Sequence, residues 1–368
     1  SHRFLDTSLH SKSYDNGYRY RLFFEKFSGN FTFGLGQRTI SKYYNINDMG
    51  FIFRTNFMVS SARARYNIYK PIGLMLRMWS KLEFNYERLY NPSVFTRISL
   101  GGEWGSTLKN FLSLGADFKI EPMGYKDFFE PRTDGRYWSK PTWTRIGCWF
   151  SSDYRKVFAL DGRFSYRRFW GEGAWAASDV FGINLQPLIR FSDNFNMIIE
   201  GDLTIRRNNI GFVTKTQDAA SQEDWIIFGS RYRQDLETTI SANYLFTNKI
   251  SLSLRVRHYW AMVDYKQFFV LNDDGSMGDT NYNNNHNTNY NAFNIDLIFR
   301  WRFAPGSELN IVWKNAVLDY GDNPNYNYFN NFATMFETGQ NNQFSIKALY
   351  FLDFFKLLKN KNRGQRIL

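Results

Sequence analysis

Phe293-Asn-Ile-Asp-Leu-Ile-Phe-Arg-Trp-Arg-Phe-Ala-Pro-Gly-Ser-Glu-Leu-Asn-Ile-Val-Trp-Lys-Asn315 is the stretch whose reading decides the fold. Its first arm sets Phe293, Ile295, Leu297, Phe299, Trp301 and Phe303 against Asn294, Asp296, Arg300 and Arg302, with Ile298 the one apolar residue among the polar set. A period of two is the signature of a β-strand with different surroundings on its two faces. Pro305-Gly306-Ser307 supplies a turn, because proline fixes φ and glycine tolerates positive φ. Leu309, Ile311 and Trp313 then alternate with Asn310 and Lys314. One face is too aromatic for water and the other too charged for a dry core, which is the demand a transmembrane β-barrel places on its strands.

Composition agrees. Phe 37, Tyr 23 and Trp 11 together make 19% of 368 residues, yet the mean hydropathy is −0.48. A barrel reconciles the two, with aromatic girdles outside and a polar lumen and loops. No apolar run is long enough for a membrane helix. The single cysteine, Cys148, excludes an intramolecular disulfide framework and reads as a small strand residue. A net charge of +12 raises the question of nucleic acid. The basic residues are scattered along alternating strands, however, so no nucleic-acid partner is expected. The start, Ser1-His2-Arg3, carries neither an initiator Met nor a signal peptide. Export to an outer membrane requires a signal, so processing or missing upstream sequence is expected.

The same alternation recurs along the chain and predicts about sixteen strands. They fall near 17–27, 30–40, 50–57, 60–69, 72–87, 94–104, 112–120, 142–151, 156–168, 180–191, 195–206, 225–246, 250–260, 293–303, 309–315 and 344–355. Gly105-Ser106-Thr107 reads as a reversal, and Asn208 to Glu223 as a loop. Turns at Lys70, Gly105, Asp153, Asp193, Asn248 and Pro305 are short and share one rim. Loops at Lys126, Trp170, Asn208, Asn272 and Gly321 are long and share the other, the asymmetry of an outer-membrane barrel. An even strand count places both chain ends on one side. The division is a segment 1–16, a barrel 17–355 and a basic tail 356–368. A soluble sandwich or propeller is the competing fold, disfavoured by the absence of a blade-length repeat.

Residues of the polar face are the candidate lumen lining: Arg77, Glu83, Arg97, Glu103, Asp117, Asp161, Arg163, Arg167, Glu200, Asp202, Arg206, Arg255, Arg257, Asp296, Arg300 and Arg302. Two of these carboxylates at suitable separation could serve a glycosidase; a salt-bridged wet wall is the plainer reading. Asn272 to Asn291 and Gly321 to Gln343 are Asn-rich and read as solvated surface loops. Tyr282, His286, Tyr290, Tyr326 and Tyr328 within them are candidate ligand contacts. The histidines His2, His10, His258 and His286 form no triad or zinc pattern, and His258 falls on the apolar side of its strand as an interfacial girdle residue. Asp273-Asp274-Gly275 with Asp279 lacks EF-hand spacing and reads as a turn. No cofactor, metal or catalytic set is expected.

Trp301-Arg302-Phe303-Ala304-Pro305-Gly306-Ser307-Glu308-Leu309 with Val312-Trp313 resembles a signature near the C-terminus of a Bacteroidetes outer-membrane family of uncharacterised function. Tyr44 to Phe51, Phe228 to Tyr232 and Tyr244 to Thr247 are similar to it too. The resemblance implies a barrel that usually follows a family 9 carbohydrate-binding-like domain, which is absent here, and whose N-terminal part is usually longer. It implies a non-enzymatic outer-membrane channel or receptor, with carbohydrate or another nutrient as ligand. The alternative expectation is a structural subunit partnered by outer-membrane or periplasmic proteins. A membrane-associated hydrolase is the third, weakened by the missing catalytic constellation.

Overall fold

A computed structural model describes residues 17–45, 52, 54–171, 177–217 and 224–354; the segment 1–16 and the tail 356–368 lie outside them. The described chain is one antiparallel sheet. Its long strands run in chain order as β1 (Arg19–Lys26), β2 (Phe31–Ile40), β3 (Phe57–Ile68), β4 (Met75–Leu89), β5 (Phe95–Leu108) and β6 (Ser113–Glu121). After a short hairpin, β7 (Tyr125–Asp127) and β8 (Trp138–Lys140), come β9 (Thr142–Ser151), β10 (Phe158–Trp170), β11 (Ser178–Ser192), β12 (Phe195–Gln217), β13 (Asp224–Thr247) and β14 (Ile250–Leu271). A three-residue strand, β15 (Met277–Asp279), precedes β16 (Thr288–Ala304) and β17 (Ser307–Gly321). Helix α1 (Tyr328–Thr334) and the 3-10 turn Met335–Glu337 lead into β18 (Gln340–Leu349).

Each long strand pairs with its sequence neighbour, β6 going directly to β9, and among the described residues β1 pairs only with β2 and β18 only with β17, which leaves them as the two free edges. The sheet is not closed into a barrel. The opening stretch is indeed a hairpin: Phe293 pairs with Val317 and Trp301 with Leu309, while Gly306 turns at φ 71°.

Several expected boundaries move. Ile52, Arg54 and Thr55 are not in a strand, so the expected strand near Gly50 is missing where it is described. Gly105 to Thr107 lie inside β5, and the reversal falls at Lys109 to Phe111, where Phe111 takes φ 64°. Glycine at 105 serves close packing against the Trp79 ring rather than a turn. Asn208 begins no loop: it takes φ 49° at a bulge, and β12 continues to Gln217. A bulge admits an extra residue while pairing resumes beyond it. The last strand ends at Leu349 rather than Phe355. Among the described residues there are fifteen long strands where about sixteen were expected, and the described chain enters and leaves the sheet at opposite rims.

The two faces differ as the alternation requires. Leu82, Phe84, Ile146, Phe164, Ile183 and Ile346 lie on one face with 39–73% of their surface exposed. Ion pairs occupy the other. Two buried clusters mark where loops cover the sheet: Trp138, Ile210, Ile226, Phe228, Phe269 and Leu271 form one, and Phe293, Val317 and Met335 the other.

Candidate functional site

Strand register puts the expected polar-face residues together on one side. Across β3 to β9, Arg63 faces Glu83, Lys81 faces Glu103, Glu103 faces Asp117, and Asp117 faces Gly147. Further along, Arg167 faces Arg145, Asn184 faces Asp202, Glu200 faces Thr239, Thr239 faces Arg257, and Arg255 faces Asp296. Arg302 sits at the rim, donating to the Asn248 carbonyl at 2.9 Å.

Side chains on this face neutralise one another. Asp117 accepts from Arg145 at 2.8 Å and Arg163 at 2.9 Å. Glu83 pairs with Lys81 at 2.6 Å, and Asp296 with Lys314 at 3.5 Å. Arg206 and Arg233 share Asp235, and Arg300 donates to Asn310 at 3.1 Å. Asp161 takes the Tyr154 hydroxyl at 2.6 Å. Arg97 joins Glu87 at 3.0 Å and Glu121 at 3.7 Å. Glu121 is 1% exposed and also accepts the Trp143 indole N–H at 2.9 Å. Such charges are retained by their partners: removing one would leave the other buried and unpaired.

The β7–β8 hairpin is the feature that sequence reading missed, having placed a loop there. Tyr125 pairs with Lys140 and Asp127 with Trp138, and Tyr125 also bridges to Arg97 of β5. Its tip is tied to both sides of the sheet. On one side Lys42 pairs with Asp134 at 3.2 Å, and the Arg54 guanidinium lies 4.7 Å from the Phe129 ring centre. On the other, Glu130 accepts the Phe212 backbone N–H at 3.1 Å, and Lys215 donates to the Arg132 carbonyl at 2.5 Å. Arg136 donates to the Leu271 carbonyl at 2.6 Å, and the Ser139 N–H to the Gly275 carbonyl at 2.9 Å. Six long strands separate β3 from β12 in the sheet order. One short hairpin touches both neighbourhoods, so the sheet is curled into a trough with the polar face inside. The hairpin crosses that trough as a strap.

Its anchor is Trp138, 2% exposed and 4.9 Å from the Phe228 ring, with the Lys140 ammonium 4.2 Å above the indole. Asp127 and Lys140 meet at 2.8 Å. Burial by itself would raise the Asp127 carboxyl, but the Lys140 ammonium and the amides of Phe129 and Glu130 outweigh it, and the group sits below the usual carboxylate range. Burial likewise opposes the Lys140 charge, and Tyr125 with Asp127 overcomes it, raising the amine above its ordinary value. Both groups are thus held charged around neutral pH.

The five loop residues proposed as ligand contacts do not converge. Tyr282 stacks on His286 with ring centres 5.7 Å apart, and Tyr290 lies 6.0 Å from Tyr259, on the polar side. Tyr326 bonds Asp264, and Tyr328 lies against His258 and Trp260, on the opposite face. Nor is the second Asn-rich loop only a solvated surface. Asn331 is 1% exposed, accepting from Asn289 at 2.6 Å and donating to the Asn325 and Asn327 carbonyls at 2.8 and 3.0 Å. His258, expected at an interfacial girdle, is 3% exposed beneath α1, bonded to Tyr328 at 3.2 Å and Asn291 at 3.4 Å. An amide loses its water only when such partners replace it, and the loop's many asparagines are those partners.

Taken together these residues define a class: a long antiparallel meander with an exposed apolar face, an ion-paired concave face and a docked hairpin across the trough. The chain belongs to the family described as a domain of unknown function, DUF5916, which it matches over residues 3–361. No curated protein matches it in sequence.

Proposed function

We propose that this chain is the wall of a bacterial outer-membrane β-barrel whose polar interior admits small hydrophilic solutes, and that it is not an enzyme. The observation that carries the reading is the exposed apolar face. Soluble proteins rarely leave so large an apolar surface uncovered, whereas lipid is its natural solvent. On β12 that face stays apolar from Phe195 to Ile205. At about 3.4 Å per residue this is roughly 34 Å of strand. Tilted near 40°, it spans about 26 Å, close to the ~25 Å apolar band of such barrels. Most of the carboxylates that could serve hydrolysis are instead engaged, as Asp117 is with two guanidinium groups, which favours a wall over an active site.

Closure of the barrel needs more than this sheet. Fifteen antiparallel strands leave β1 and β18 running in the same direction, so an all-antiparallel ring takes an odd number of further strands. The free edges also favour a second reading, a subunit that pairs with strands of another outer-membrane protein. Purified full-length protein in planar bilayers separates the two. Discrete conductance steps, larger when residues 128–137 are deleted, support the pore. Steps absent from both forms overturn it and leave the subunit.

A further inference from the structure

Four residues form one row across β4, β5, β6 and β9: Trp79 faces Gly105, Gly105 faces Gly115, and Gly115 faces Trp149. All four point to the polar face. Three strand spacings of about 4.8 Å separate the two tryptophan backbones, roughly 14 Å. The indole centres nevertheless lie 6.0 Å apart, with planes inclined by only 24°. Both rings therefore fold inward and lie flat over the two glycines. A Cβ at Gly105 would enter the Trp79 ring, and one at Gly115 would lie 2.6 Å from the Trp149 indole. Glycine is required there for the rings to lie down.

The result is a nearly continuous aromatic surface, backed by glycine backbone and half-exposed on its free side. Aromatic residues inside a charged trough are otherwise out of place. Polar rows flank the surface on both sides. One holds Lys81, Glu103 and Asp117, the last fixed by Arg145 and Arg163. The other holds Arg77, which donates to Thr107 at 3.1 Å, with Thr107 and Ser113 hydroxyls 3.0 Å apart. Glu103 makes no ion pair among the described residues. Trp79, Lys81 and Glu103 open onto a cavity of about 590 Å³.

We infer that Trp79 and Trp149 form a stacking platform for the pyranose rings of an uncharged oligosaccharide, whose hydroxyls bond Lys81, Glu103, Arg77 and Thr107. A pyranose presents a face of C–H groups, weakly positive, to a π surface whose face is negative, and hydroxyls around its rim. A flat apolar floor between two rows of convergent polar groups matches both at once. The inference rests on the reading of the polar face as a solute path, since only there does the platform meet solute.

Saturation-transfer difference NMR on detergent-solubilised protein tests it without needing conductance. Maltohexaose and cellohexaose are the probes, and hexaethylene glycol is the control of similar length without rings. At least one hexasaccharide should receive saturation at its ring C–H protons. The double variant W79A/W149A should weaken its binding at least tenfold, G105L should do the same by occupying the shelf, and W79F should retain part of it. Equal signals from wild type and double variant, or an equal response to hexaethylene glycol, overturn the platform. A silent bilayer with intact ring saturation overturns the pore and leaves the platform standing.

Discussion

Replacing Trp138 by alanine is the most direct perturbation of the strap. The indole is 2% exposed, packed on Phe228, Ile210, Ile226, Phe269 and Leu271, and carries Lys140 on its face. Truncating a buried tryptophan costs about 3–5 kcal/mol. Because the side chain joins β8 to strands remote in the sheet, that cost falls on docking of the strap rather than on the meander. At 1.4 kcal/mol per tenfold, the docked-to-undocked ratio should fall by about 100-fold or more. Two amides report docking: Ser139, bonded to the Gly275 carbonyl, and Phe212, bonded to Glu130. Hydrogen exchange in detergent should show both losing protection by about that factor, while amides in the β16–β17 ladder keep theirs. Unchanged protection at Ser139 and Phe212 would refute the strap as a separately docked unit. Loss of protection throughout the sheet would refute its independence from the meander.

Two further outcomes follow from the same geometry. The Asp127 carboxyl is depressed, so its contribution to docking is complete above the ordinary carboxylate pKa of about 3.9 and lost as pH falls through its lower bound-state value. Lys140 is raised, so its contribution is complete below about 10.4 and lost as pH rises through its higher value; protease resistance of residues 128–137 should be flat from about pH 5 to 9 and fall on both flanks, and D127N, which lacks the titrating carboxyl, should lose the fall on the acid flank. For the free edges, Leu22→Cys with Ile346→Cys in a Cys148→Ser background should give no disulfide on oxidation, since a bond requires Cα atoms within about 7 Å. Rapid, complete cross-linking would show that β1 and β18 meet directly.

Legibility in the sequence followed the range of the forces involved. Alternation is a local consequence of the pleat, so the hairpin at Pro305-Gly306, the long strand Asp224–Thr247 and the polar-face membership of Glu83, Asp117 and Arg255 could be read residue by residue. Gly105 was misread as a turn because glycine signals both reversal and close approach. The deciding partners, Trp79 and Gly115, come from other strands. Asn208 was misread because a bulge and a loop share the same turn-forming residue. The strap left no periodic trace. Its residues Lys126, Asp127, Arg136 and Trp138 look like loop chemistry, and contacts from far along the chain, such as Glu130 with Phe212, fix their place across the trough.

Asparagine shows the same limit from the other side. Composition alone makes the segments 272–291 and 321–343 look solvated, yet Asn291 and Asn331 are 0% and 1% exposed. They lie over the face that is apolar lower on the same strands: β16 carries Ile295, Leu297 and Phe299 there before reaching Asn291 and Asn289. A lipid-facing surface cannot bear unpaired amides, so the change from isoleucine to asparagine along one strand marks a change of surroundings. Where the amides begin, α1 supplies Asn331, Tyr328 and Phe332 as a cover. The strands β12, β13 and β14, at 23, 24 and 22 residues, are longer than a single crossing needs. Their surplus is the part that α1 and the strap occupy. On the proposed outer-membrane reading the same strands serve two solvents in succession, and buried asparagines and Trp138 stand where the second begins.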